Sequence, residues 1–312
     1  MVKVILLILL SVAASGCQAK KAEKAEVAVE QQQQRTFKLP DLPAVLQEPA
    51  ERADYLALHY WDHFDFKDTA YVHLPEVTEQ AFADYLSVLE HTRPETADRA
   101  IREMLGKSAD EPRMFSYFTD LYDRYLYDAN SPMRNEELYI PVLETIIASP
   151  LVDEDHKVRP KYRLELAMKN RVGQQAADFT YTLANGQKRR MHAIQSDYLI
   201  LYFNNPDCNA CVEIANALAN SLLVKGMIAE KKLQVLAIYP DADLDIWKDH
   251  LSDFPETWIN GYDAERVIED DEIYDLKAIP MIYLLDKNKN VLLKDVDTNR
   301  LFSYLSENTG GK

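Results

Sequence analysis

The spacing of apolar residues divides this chain into two stretches, 40–170 and 171–312. In the first stretch apolar side chains recur every three or four positions, as in Phe82, Leu86 and Leu89, which is the period of an amphipathic helix. The segments predicted to be helical are 50–63, 78–89, 97–105, 118–125, 139–147 and 161–168. No constant interval separates these segments, so the pattern predicts an irregular all-α domain rather than a regular solenoid.

Two residues in this stretch are expected to mark helix ends. Thr78 precedes an apolar stripe and is a residue type that caps helix N-termini. Gly106 follows another stripe and is the residue type that most often terminates a helix.

The second stretch alternates short apolar runs with helical segments. The predicted strands are 177–183, 188–191, 198–204, 233–239, 279–285 and 291–293, with a turn at Asn185-Gly186. The predicted helices are 211–224, 243–251 and 298–308. Strands that alternate with helices indicate an α/β sheet covered by helices. The sequence therefore predicts two domains, an N-terminal all-α domain and a C-terminal α/β domain.

The N-terminus has the features of an export signal. One positive charge at Lys3 precedes the apolar run 4–10 and the small residues 11–16. The end of this signal, Ala14-Ser15-Gly16-Cys17, resembles a bacterial lipobox. That resemblance implies a signal peptide over 1–16 and a lipid anchor on Cys17. An ordinary signal peptide that happens to contain a cysteine is the alternative.

Residues 17–39 are polar and include a run of four glutamines, so we expect them to form a flexible tether. With a lipid on Cys17, the predicted location is the bacterial cell envelope, on the outer membrane and facing the periplasm. The net charge of −16 argues against binding nucleic acid or an anionic membrane surface through the protein face.

Cys208 and Cys211 are the candidate reactive groups. They follow the apolar run 198–203 and open a predicted helix, and Cys17 is the only other cysteine. Two cysteines three residues apart close too small a loop to stabilise a fold much. A redox role therefore explains this pair better than a structural one.

Residues 171–312 resemble the thioredoxin superfamily. The resemblance rests on the order of a first strand, a glycine turn, a buried strand, the Cys208-Asn209-Ala210-Cys211 motif opening a helix, and Ile279-Pro280 before a strand–turn–strand. The most similar branch is the exported, membrane-anchored thiol–disulfide oxidoreductases. The helical stretch resembles a domain of unknown function that precedes such modules in bacterial lipoproteins.

The resemblance implies a mechanism and a set of partners. Cys208 would attack a substrate disulfide, Cys211 would resolve the mixed disulfide, and Ile279 and Pro280 would form the substrate-binding lip opposite them, with Pro280 in the cis form. The implied partners are protein thiols or disulfides and an unidentified electron donor, with no cofactor and no metal. We expect a reductase or isomerase rather than a strong oxidant.

Several positions depart from the superfamily pattern. Tyr202 stands where thioredoxins keep a buried aspartate, and Ile214 stands where the anchored branch keeps a glutamate. Asp207 replaces a tryptophan and places a negative charge beside Cys208, which would oppose a thiolate there if the side chain points inward. These departures leave open a binding or scaffold protein with a degenerate thioredoxin-like domain.

Metal binding is a further alternative. Cys208 and Cys211 could be joined as ligands by His192 or His250. In the helical stretch His59 and His63 share one helix face, but two exposed histidines are the simpler interpretation of that pair.

Overall fold

A computed structural model describes residues 35–309 of the chain. The predictions for the signal peptide, for Cys17 and for most of the tether lie outside the described residues. The chain divides into two compact units, the first ending at Val142 and the second beginning at Leu143.

The first unit is entirely helical in its described part, as predicted. Its helices are α1 (Pro49–His59), α2 (Pro75–Leu89), α3 (Pro94–Ser108) and α4 (Pro112–Tyr122). A 3₁₀ turn, Thr69–His73, precedes α2, and a π-helical turn, Asp123–Tyr127, follows α4. Helix α5 (Glu136–Ala148) then crosses from the first unit to the second.

Two boundary predictions in this unit are wrong. Thr78 lies inside α2 rather than at its N-cap, and its hydroxyl donates to the Tyr71 carbonyl at 2.9 Å. Pro75 starts the helix earlier because a proline has no N–H to leave unsatisfied at the first helical position. Gly106 does not end α3, which continues to Ser108.

Aromatic side chains form the core of the first unit. Trp61 is 3% exposed and contacts the rings of Phe64, Tyr85 and Phe118 at centroid distances of 5.2, 5.6 and 5.3 Å. Phe37, inside the predicted tether, stacks on Tyr60 at 5.1 Å. Buried tyrosines such as Tyr60 and Tyr85 are therefore part of this core.

The second unit contains a seven-stranded mixed sheet, in the part of the chain that the structure describes. Its strands are β1 (Thr180–Thr182), β2 (Lys188–Arg190), β3 (Tyr198–Phe203), β4 (Leu233–Tyr239), β5 (Ile259–Tyr262), β6 (Met281–Asp286) and β7 (Val291–Lys294). The order across the sheet is β2-β1-β5-β4-β3-β6-β7. The predicted fold class is confirmed: a helical N-terminal part and an α/β C-terminal part.

Strand β3 lies in the middle of this sheet and is buried on both faces. Leu199, Leu201 and Phe203 point into one apolar cluster, and Ile200 and Tyr202 point into another. Alternate side chains of a strand point to opposite faces, so a strand covered by helices on both sides is apolar throughout. Strand β3 lies between β4 and β6, inside the sheet. The cysteine pair follows its carboxyl end and therefore lies where the central strands end.

The helices of the second unit are α6 (Glu154–Ala167), α7 (Asn209–Asn220), α8 (Leu222–Ala229), α9 (Leu244–Asp249), α10 (Val267–Asp270) and α11 (Thr298–Thr309). The single helix predicted over 211–224 is two helices. Ser221 separates them, since its hydroxyl accepts the Val224 N–H at 3.4 Å and caps α8.

The second unit begins at Leu143, before the change of apolar spacing at residue 171. The segment after α6 belongs to this unit because it is hydrogen-bonded to the sheet domain. Lys294 on β7 donates to the carbonyls of Ala167 and Lys169 at 3.3 and 2.7 Å. Asn170 donates to the Ile273 carbonyl at 2.7 Å.

Strand β5 was not predicted from the sequence. It is short, and Gly261 in its centre lowers its strand propensity. The structure explains this glycine, because a Cβ there would lie 2.7 Å from Cδ2 of the buried Tyr181 ring. The close approach of β1 and β5 therefore requires a residue without a side chain.

Gly261→Ala is expected to destabilise the protein by about 1–3 kcal/mol, the usual cost of overpacking a core. Gly226→Ala is the matched control, because Gly226 lies in α8 and, apart from its chain neighbours and the backbone of that helix, no heavy atom of the described chain lies within 4 Å of a Cβ added there. Alanine in that helix is expected to stabilise by about 0.5–1 kcal/mol. Urea unfolding of both variants measures the two effects, and equal stabilities would contradict the steric argument.

Candidate active site

The turn after β3 sets the position of the cysteine pair. The Asn205 side-chain oxygen accepts the Asp207 N–H at 2.9 Å, and the Asn205 carbonyl accepts the Cys208 N–H at 3.1 Å. The Asn205 amide in turn donates to Asp241 at 2.7 Å. These bonds fold the chain back so that Cys208 becomes the N-cap of α7.

Cys208 lies where a helix favours a negative charge. Its Sγ accepts the Cys211 N–H at 3.3 Å, and its side chain is half-buried. The same sulfur can therefore be reached by a substrate while it accepts a backbone N–H of the helix.

Ile279 and Pro280 lie opposite Cys208, where the resemblance expects the substrate-binding lip. The Cys208 thiol lies 3.8 Å from the Ile279 carbonyl oxygen, and the Ile279–Pro280 peptide bond is cis. The sheet register produces this proximity, since Met281 at the start of β6 pairs with Phe203 at the end of β3. The structure thus brings together four sequence-predicted residues that are distant in the chain.

Cys211 lies behind Cys208 and is buried, with 2% exposure. Its Sγ accepts the Asn205 N–H at 3.5 Å. Burial raises the pKa of the Cys211 thiol to about 12. At neutral pH this thiol holds its proton, so any reaction at Cys211 must include removal of that proton.

Tyr202, which replaces the expected aspartate, does not provide a proton acceptor. Its hydroxyl donates to the Cys211 carbonyl at 2.6 Å, and burial raises the pKa of Tyr202 far above its ordinary value. Ile214 packs against the apolar cluster that contains Ile200 and Tyr202, and Glu213 is exposed. Neither Tyr202 nor Ile214 can take the proton of Cys211.

Asp207 is largely outside the site, and His250 lies beside it. The Asp207 side chain is 61% exposed, and its Oδ1 lies 3.7 Å from Nε2 of His250. Nδ1 of His250 lies 2.8 Å from Asp253 Oδ2, and this hydrogen bond raises the pKa of His250. The sequence suggested His250 only as a metal ligand, because nothing in the sequence places the turn after α9 beside the cysteine pair.

A pocket of about 330 Å³ opens next to Cys211. It is lined by three asparagines, a histidine–aspartate pair, residues of α7 and two aromatic residues. The residues are Tyr202, Asn204, Asn205, Pro206, Cys211, Val212, Ala215, Asn216, His250, Asp253 and Phe254. The buried thiol of Cys211 and the imidazole of His250 therefore line the same pocket, which is large enough to hold water.

The histidines considered as metal ligands have other partners. His250 lines the pocket of Cys211 but bonds Asp253, His192 bonds the Ala176 carbonyl at 2.8 Å, and His59 bonds Asp62 at 2.7 Å. Within residues 35–309 no three His, Cys, Asp or Glu side chains are grouped so that they could hold a metal ion.

In the same range no single helix is long and apolar enough to cross a membrane. Helices α7 and α8 are long and apolar enough only when taken together, and the chain bends by 61° between them.

Comparison with known proteins shows the family to which this chain belongs. A thioredoxin-like protein from Bacteroides caccae is 51% identical over 88% of this chain and 99% of its own, with a TM-score of 0.83. The C-terminal domain of an uncharacterized protein from Bacteroides fragilis is 50% identical over 44% of this chain and 98% of its own, with a TM-score of 0.43. A domain of a possible thiol-disulfide isomerase from Cytophaga hutchinsonii is 24% identical over 46% and 96%, with a TM-score of 0.40.

Residues 16–170 match the family described as Domain of unknown function (DUF5106). No curated protein matches the chain. The chain belongs to the thioredoxin-like proteins, as the Bacteroides caccae relative shows over nearly its whole length.

Proposed function

We propose that this protein is an exported, membrane-anchored thiol–disulfide oxidoreductase that exchanges disulfides with protein substrates through Cys208 and Cys211. The observation that carries the proposal is the asymmetry of the two thiols. Cys208 is half-buried at the start of a helix and 3.8 Å from the Ile279 carbonyl, whereas Cys211 is buried behind it. One sulfur can meet a substrate and the other can resolve the product.

The reaction follows from that asymmetry. The Cys208 thiolate attacks one sulfur of a substrate disulfide, forms a mixed disulfide and releases the other sulfur as a thiolate. Cys211 loses its proton and attacks Cys208, which forms the Cys208–Cys211 disulfide and releases the second substrate thiol. The substrate is reduced by two electrons and the protein is oxidised, so an electron donor must restore the dithiol.

We assign the protein to reductase or isomerase duty. The proposed tether implies a local electron donor, which would return the Cys208–Cys211 pair to its reduced form. Ile279 and Pro280 are proposed as the lip that holds an extended substrate segment, since the Ile279 carbonyl faces the reactive sulfur.

The proposed anchor is a lipid on Cys17, after removal of residues 1–16, with the protein on the outer membrane and facing the periplasm. The sequence around Cys17 supports this assignment. Incorporation of labelled palmitate that requires Cys17 tests it.

Reduction of insulin by dithiothreitol in the presence of the protein tests the activity. The wild type is expected to accelerate precipitation of the insulin B chain, and its Cys208–Cys211 couple is expected to have a reduction potential nearer to that of thioredoxin than to that of strong periplasmic oxidants. A folded wild type with intact thiols and no activity would instead favour the binding or scaffold function.

A further inference from the structure

The proposed reaction leaves one proton without an acceptor. Cys211 must lose its proton before it can attack Cys208, and burial raises the pKa of Cys211 to about 12. The hydroxyl of Tyr202 is a donor to the Cys211 carbonyl, and Glu213 is exposed. The pocket beside Cys211 is also lined by an imidazole and a carboxylate, those of His250 and Asp253.

We propose that His250 accepts the proton of Cys211 through water in the pocket that both side chains line, an inference that rests on the proposed disulfide exchange. The pocket of about 330 Å³ can hold several water molecules, each of which occupies ~30 Å³ in the liquid. Asn204, Asn205 and Asn216 offer polar partners for that water along the wall.

The hydrogen bonds of His250 prepare it for this role. Asp253 Oδ2, at 2.8 Å, accepts the proton on Nδ1 and so assigns the tautomer whose Nε2 is free to accept a second proton. Once Nε2 is protonated, it faces Asp207 Oδ1 at 3.7 Å. The carboxylates that act on His250 are thus Asp253, Asp207 and Asp249, and all of them favour the cation.

His250 and Asp253 are positioning and proton-transfer residues here, since neither contacts the reacting sulfurs directly in the described residues.

The attack of Cys211 on the mixed disulfide conserves protons and electrons. The Cys211 proton passes through water to Nε2 of His250, and the Cys211 sulfur forms a bond to the Cys208 sulfur. The bond between Cys208 and the substrate sulfur breaks, and the electron pair leaves on the substrate thiolate. That thiolate takes up the proton, either from the His250 cation or from solvent.

Ellman's reagent, an aromatic disulfide, separates the two steps in the full chain carrying Cys17→Ser. Attack by Cys208 releases a first coloured thiolate, and attack by Cys211 on the mixed disulfide releases a second. In His250→Gln the second phase at neutral pH is expected to slow by about 10²-fold, the lower end of the range for general acid–base catalysis. His156→Gln is the matched control, since His156 makes the same kind of pair, with Asp153 at 2.6 Å, away from the pocket.

The pH dependence distinguishes proton transfer from a structural role. In the wild type the second phase is expected to rise with pH and level off above the pKa of His250, because only the neutral imidazole accepts a proton. In His250→Gln it is expected to rise without this plateau, toward the high pKa of Cys211. Asp253→Asn removes the bond that raises the pKa of His250, so the rising limb is expected to move to lower pH.

Added imidazole is expected to restore the second phase of His250→Ala and not to affect the His156 variant. Absence of both phases in the folded wild type would overturn the proposed function itself. Two normal phases in the wild type, with the same second-phase pH profile in His250→Gln and no shift in Asp253→Asn, would overturn the role of His250 alone.

Discussion

Cys211→Ser is expected to convert the protein into a trap that accumulates a mixed disulfide with its substrate. Cys208 keeps its position at the start of α7, so the first attack proceeds. A serine hydroxyl cannot displace the substrate from Cys208, and turnover is expected to fall by at least about 10³-fold, since loss of one member of a reacting unit removes most of its catalysis. Mass spectrometry after incubation with insulin or a small disulfide measures the covalent adduct.

Cys208→Ser is the matched variant and is expected to form no adduct. Cys211 is 2% exposed and burial raises its pKa, so it reacts poorly with a disulfide from solvent. Both variants should carry Cys17→Ser, which leaves one thiol in each. Turnover of Cys211→Ser at the wild-type rate would show that Cys211 does not resolve the mixed disulfide. An adduct of similar yield on Cys208→Ser would show that Cys208 is not the attacking residue.

The fold class was predictable because burial imposes clear periods on this sequence. Strand β4 was predicted at its observed bounds, since an unbroken apolar run in the middle of a sheet has sharp polar ends. The helices of the first unit were predicted with less accurate starts. Helices α1 to α4 all begin with a proline, at Pro49, Pro75, Pro94 and Pro112, and these prolines lie outside the apolar stripes that the prediction used.

The candidate site was predictable only where its residues form recognisable motifs. The Cys208–Cys211 pair and Ile279-Pro280 are short and distinctive, and the structure places them together. His250 lies on the turn after α9, and only the folded chain brings it to Asp207 and to the pocket of Cys211. A histidine followed three residues later by an aspartate is common on exposed turns, so the sequence gives no sign of this role.

Above pH 10 the protein is expected to unfold in a steep, cooperative transition, because both units bury tyrosines that cannot ionise in the folded state. Burial raises the pKa of Tyr85 and Tyr122 in the first unit, and of Tyr202 and Tyr274 in the second, well above the ordinary value of about 10. These groups hold their protons when folded and lose them when unfolded. Their contribution to stability is complete below pH 10 and is lost as the pH rises toward the folded pKa values.

The loss of stability from tyrosine ionisation is as large as the stability of a typical protein. Each such tyrosine costs about 1.4 kcal/mol of stability per pH unit above 10, so four cost about 5–6 kcal/mol per unit. The total stability of a typical protein is about 5–15 kcal/mol. Tyrosinate absorbance and far-ultraviolet circular dichroism are therefore expected to change together, within about one to two units above pH 10.

Single variants test whether the buried tyrosines cause the transition. Tyr122→Phe removes one of these protons and is expected to make stability fall less steeply with pH, by about 1.4 kcal/mol per unit. Phe118→Leu is the control, since this buried side chain of the same core has no ionisable group and its change should leave the slope unchanged. Ionisation of all eighteen tyrosines with unchanged circular dichroism would show instead that the buried hydroxyls ionise within the folded protein.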